Sequence, residues 1–94
     1  MLKKVNIKDE VNSVDGLYIY KKIGTLNSHV LSVVQVENRT LDFHVHEKSD
    51  ELFYVIEGSF QLELEDGLLT LNEGEFVIVP KGTKHRPVVK SLTK

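Results

Sequence analysis

The chain has 94 residues, no cysteine and a formal net charge of −2 made of mixed acidic and basic side chains. That length suits one domain with a small core, and the balance of charge offers no basic groove for nucleic acid. Without cysteine there are no disulfides, no thiolate metal ligands and no cysteine nucleophile. The N-terminal MLKKVNIKDE lacks the apolar run of a leader. No segment reaches the roughly 20 apolar residues that a membrane span needs. A soluble, cytoplasmic protein with neither a nucleic-acid nor a membrane partner is expected.

Residues 1–14 are mixed and weakly patterned, an N-terminal arm that Val5, Ile7 and Val11 would anchor. Asp15-Gly16 signals a turn. Leu17 to Lys22 reads as a first strand and Gly24 to Ser28 as a loop. The Val-rich run from His29 to Glu37 reads as a second strand. After a turn at residues 38–40, Leu41 to His46 alternates. Leu41, Phe43 and Val45 fall on one face; Asp42, His44 and His46 fall on the other. Glu51 to Glu57 is a strand closed by Gly58. Phe60, Leu62 and Leu64 alternate with Gln61, Glu63 and Glu65, whose face is expected to be solvated. Asp66-Gly67 is a hairpin signal before Leu68 to Leu71. Phe76 to Val79 is a short apolar strand ended by Pro80-Lys81-Gly82, and His85 to Lys90 is a last strand. No stretch sustains a period of 3.6, so the pattern is that of an all-β sandwich or barrel.

Chemistry concentrates in two stretches. DFHVHEKSDELFYVIEG, from Asp42 to Gly58, carries His44, His46 and Glu51. Two histidines two residues apart in a strand project side by side, and imidazole with carboxylate is a usual donor set for a divalent first-row metal. Glu51 joins them if the chain turns through residues 47–50 and returns as the neighbouring strand. GEFVIVPKGTKH, from Gly74 to His85, supplies one more imidazole. Asp50 would point to the wrong face to serve as a ligand if the strand already starts there, and Glu47 sits in the turn. His29 belongs to neither stretch and reads as a surface or structural histidine. Lys84 and Arg86 flank His85 and would suit an anionic substrate if they stood at the mouth of the barrel.

The two stretches together resemble the paired motifs of the cupin superfamily. The first spans residues 38–58 with His44, His46, Glu51 and Gly58; the second spans residues 74–89 with Gly74, Pro80, Gly82 and His85. Asn38 replaces the leading glycine of the first motif and Val89 the final asparagine of the second. Asn38 can also take a positive φ. The chain looks most like the small cupins labelled mannose-6-phosphate isomerase-like. The resemblance implies a single cupin domain over residues 1–94 that folds as a double-stranded β-helix, a compact jelly-roll barrel. It also implies a metal centre of His44, His46, Glu51 and His85.

Three imidazoles and one carboxylate leave one or two positions open on a five- or six-coordinate ion, which marks a reactive site. The set suits Mn, Fe, Co, Ni, Zn or Cu and does not choose among them. No second constellation supplies a separate general base. The expected function is a metal-binding cupin, isomerase- or dioxygenase-like, acting on a small oxygen-bearing metabolite or sugar. The alternatives are a non-catalytic small-molecule or sugar-binding module and a metal that only holds the barrel together. Finally, Leu52, Tyr54 and Ile56 make the second face of their strand apolar. A face of that kind needs cover, and 94 residues hardly supply two cores, so a homodimer is expected.

Overall fold

A computed structural model describes residues 2–94; of the 1–14 arm, Met1 lies outside the described residues. Eight strands follow one short helix: α1 Ile7–Asn12, β1 Lys21–Leu26, β2 His29–Val33, β3 Arg39–Thr40, β4 Glu51–Tyr54, β5 Ser59–Leu64, β6 Gly67–Asn72, β7 Phe76–Val79 and β8 His85–Val89. All pairings are antiparallel. β3, β8, β5 and β6 form a four-stranded sheet in that order, while β1–β2 and β4–β7 are two-stranded. Non-consecutive neighbours such as β8 beside β5 and β7 beside β4 are the winding of a double-stranded β-helix. The all-β reading holds.

Two apolar clusters fill the body. Val55, Leu62, Leu71 and Val79 are buried together, with Phe53, Phe60 and Val77 packed against them. These side chains come from both the β4–β7 sheet with its flanking Val55 and the four-stranded sheet, so they join the two layers. The second cluster is Val11, Val14 and Val33, with Ile23 and Ile56 against it. It seats α1 on the β1–β2 hairpin.

The helix was not legible as a periodic pattern, because six residues are too few to display one. Capping starts it instead. The Asn6 side chain accepts a hydrogen bond from the Asp9 amide at 2.9 Å, and Asp9 and Glu10 place negative charge in the first turn.

The first strand is displaced from its expected position. It runs over Lys21–Leu26 rather than residues 17–22. Gly24, read as the start of a loop, lies inside the strand where the register with β2 shifts; a glycine in a strand often marks such a bulge. The hairpin then closes through Asn27 and Ser28, with Asn27 at φ +55°. Similarly, the second strand stops at Val33 instead of reaching Glu37. The β5–β6 hairpin forms where expected, though Leu64 pairs with Gly67 and the turn residues are Glu65 and Asp66.

Candidate metal centre

The run 41–46 is not a regular strand. The Leu41 amide donates to the Pro87 carbonyl at 3.0 Å, and His44 exchanges backbone hydrogen bonds with His85 at 3.0 and 3.1 Å. Pro87 has no N–H to return, so the ladder is broken opposite Leu41. The register also slips by one residue: Thr40 is opposite Val88, whereas His44 is opposite His85. This slip decides the site. Cross-strand partners share a face, and alternation counted from Thr40 would carry His44 onto the face of Arg86. The extra residue turns His44 inward beside His85 instead, which is a known use of a bulge.

Glu51 arrives by another route than expected. β4 does not return beside the histidine run; it pairs with β7, Glu51 lying opposite Val79. The carboxylate therefore meets the imidazoles from a different sheet. Even so, the fold brings the four residues together: one donor atom from each of His44, His46, Glu51 and His85 lies within 4.8 Å of every other. The ring centroids of His44 and His85 are 4.4 Å apart and those of His44 and His46 are 5.1 Å apart. Glu51 Oε1 is 3.0 Å from His85 Nε2 and 3.3 Å from His46 Nε2.

The donors fit a cation. Nδ1 of His44 lies 2.9 Å from the Asp42 carbonyl oxygen, and Nδ1 of His85 lies 2.8 Å from that of Thr83. A carbonyl only accepts, so both Nδ1 atoms carry hydrogen and donate. In neutral rings the Nε2 lone pairs then face the cluster, the usual orientation of ligand histidines held by backbone carbonyls. For His85 this leaves a lone pair against a carboxylate oxygen, on a side chain only 1% exposed. Either a proton shared between them or a metal ion bound to both satisfies the pair. His46 and Glu51 are more open, with side chains 45% and 34% exposed, so the cluster has one wet side. Beneath it, the Phe53 ring stands edge-on to His85 at 6.1 Å between centroids.

The matching comparison is direct: the cupin domain family matches residues 30–93. The chain is a cupin. An uncharacterized protein of Bacillus subtilis, YdbB, is 32% identical over 87 residues, covering 92% of this cupin and 76% of the relative. A crystal structure of a cupin-2 domain containing protein from Shewanella frigidimarina superposes with a TM-score of 0.87 at 30% identity, covering 95% of this cupin and 86% of that chain. Homogentisate 1,2-dioxygenase of Bradyrhizobium diazoefficiens is 29% identical over 83 residues, which are 84% of this cupin but only 18% of the enzyme.

Other residues of this cupin depart from expectation. Arg86 alternates with the buried His85 along β8, and its Nε donates to Glu63 Oε1 at 2.6 Å. The guanidinium lies 4.4 Å from the Phe43 ring centroid, and the Lys84 ammonium 5.4 Å from it. Arg86 is thus paired with Glu63 and lies over Phe43. Glu63, for its part, is a salt-bridge partner and not a freely solvated side chain. His29 is exposed, as expected of a surface histidine. Ile56 is not left bare, since it packs on the α1 cluster. Among the described residues, no helix is long and apolar enough to cross a membrane.

Asp50 makes a contact that the sequence does not signal. Its Oδ1 accepts a hydrogen bond from the Lys81 amide at 2.8 Å. No periodic signal marks a contact across 31 residues of sequence.

Proposed function

We propose that His44, His46, Glu51 and His85 hold one divalent transition-metal ion and that this cupin uses it on a small oxygen-bearing metabolite or sugar. One observation carries the reading: four donors from three parts of the chain converge within 4.8 Å, with both Nδ1–H groups of His44 and His85 tied back to carbonyls. A bound ion supplies Lewis acidity, or redox chemistry if it is iron or manganese. The protein's part is positional. His85 fixes the buried side of the centre, His46 and Glu51 border its wet side, and Phe53 gives it an apolar floor. A small substrate enters from the side of His46. The likeness to part of a dioxygenase puts dioxygen chemistry first for testing; a mannose-6-phosphate isomerase-like aldose–ketose isomerisation comes second. Metal-loaded protein, reconstituted separately with Fe, Mn and Zn, is expected to consume dioxygen on a panel of enols and catechols, or to isomerise a sugar phosphate. Tight metal binding with neither turnover on any panel member would favour the non-catalytic binding module.

We also propose a homodimer. On β4–β7, Leu52 pairs with Ile78 and Tyr54 with Phe76. These four large apolar side chains are 56%, 52%, 48% and 61% exposed. They adjoin on a two-stranded sheet with both edges open, a patch larger than scattered surface leucines. An isologous contact with a second copy covers it. Sedimentation equilibrium at tens of micromolar is expected to give twice the 10.7 kDa chain mass. The chain mass itself would refute the dimer.

A further inference from the structure

We infer that Asp50 is a positioning residue for the metal centre, acting through its hydrogen bond to the Lys81 amide; this rests on the metal-binding reading above. The ligands come from separate pieces of chain. His44 and His46 are on the run beside β8, Glu51 opens β4 in another sheet, and His85 opens β8. Residues 47–50 connect His46 to Glu51 and are all exposed, so burial does little to hold them. Both ends of that connection are pinned to one other loop. The Gly82 amide donates to the His46 carbonyl at 2.8 Å, and the Lys81 amide donates to Asp50 Oδ1 at 2.8 Å. The second loop leads, through Thr83, directly to His85, and the Thr83 carbonyl orients the His85 ring.

Asp50 therefore ties the residue before one ligand to the loop before another. Removing its acceptor leaves residues 47–50 tied to that loop at the His46 end alone, with Glu51 placed only by its pairing opposite Val79. Glu51 then samples more orientations, and binding must recover that lost order. A charged acceptor makes the bond stronger than a neutral one, yet the role requires an acceptor and not a charge. The carbonyl oxygen of asparagine should serve.

Co(II) is the probe, because its visible absorption reports coordination geometry. Asp50→Ala is expected to bind Co(II) about tenfold more weakly than wild type, the lower end of what loss of an orienting partner costs, with altered visible bands. Asp50→Asn is expected to keep wild-type bands and stay within about threefold of wild-type affinity, since it retains the bond. The thermal midpoint of the metal-free Asp50→Ala protein should match that of wild type, because the bond is exposed. Wild-type affinity and bands in Asp50→Ala would overturn the positioning role while leaving the metal centre intact. Equal weakening in Asp50→Asn and Asp50→Ala would show that charge, not the hydrogen bond, matters, and would also overturn it. Wild-type protein that fails to bind Co(II) would overturn the metal reading itself.

Discussion

A His44→Ala, His46→Ala double variant is expected to lose its metal completely while remaining folded. Plasma mass spectrometry on untagged wild-type protein should find about one transition-metal ion per chain, and the variant should retain almost none, because two of four donors are gone. The choice of residues matters. His44 is only half-buried and His46 is exposed, so truncating them opens little internal space. His85 is fully buried, with its Nδ1–H on the Thr83 carbonyl and its Nε2 3.0 Å from Glu51 Oε1. His85→Ala would therefore mix loss of a ligand with a cavity and a stranded Thr83 carbonyl. The far-UV spectrum and thermal midpoint of the double variant separate lost metal from lost fold. Wild-type protein that takes up no ion, even after incubation with each candidate, would remove the metal reading and leave the histidines as polar lining of a small-molecule pocket.

Gly58→Ala should be the most destabilising of the glycine substitutions. Gly58 sits at φ +92°, and a Cβ there would lie 2.6 Å from the Leu92 carbonyl oxygen and 3.1 Å from Thr93 Cα. That neighbour cannot give way easily. Residues 92–94 are stitched down by reciprocal Val36–Thr93 backbone hydrogen bonds at 2.9 Å and by the Ile56 amide donating to the Lys94 carbonyl at 2.8 Å. The Thr93 hydroxyl also donates to the Ser59 carbonyl at 2.8 Å. Left-handed backbone alone costs a residue with a side chain about 1–2 kcal/mol. The backbone clash adds to this, so a total near 3 kcal/mol and a fall in Tm of roughly 15 °C are expected. Gly82 is the internal control. It also has positive φ, at +83°, but a Cβ there meets nothing within 4 Å, so Gly82→Ala should cost only the conformational part. Equal losses in the two variants, measured by thermal melting, would show that the Leu92 contact is not tight in solution.

Much of the site was legible because its residue types sit at short, fixed spacing. His44 and His46 are two apart and Glu51 five further on, a spacing that marks them as candidates although it does not show how they meet. The turn expected at residues 38–40 was legible only at its first residue, because Arg39–Thr40 forms β3. Asn38 does take positive φ, at +47°, since asparagine tolerates that backbone where the motif usually has glycine. Most strands followed from their residue pattern, but the alternating run 41–46 is not a regular strand and strand limits were not legible. Gly24 looked like a loop and is a bulge within β1, because a glycine serves either purpose and only the partner strand shows which.

What the sequence by itself determined is the all-β class and the four candidate ligands. Period-two alternation and motif spacing are local properties, readable without knowing any partner. Only the tertiary structure decided how those ligands meet. The one-residue slip between Thr40 and His44 is a relation between two strands, so no single strand records it. Glu51 reaches the histidines from another sheet because β4 pairs with β7 and not with its sequence neighbour. Arg86 with Glu63, and Asp50 with Lys81, are joined across 23 and 31 residues by the winding of the chain. Contacts of that range follow from topology, and topology is settled by burying the two apolar clusters, not by the preferences of the residues that happen to touch.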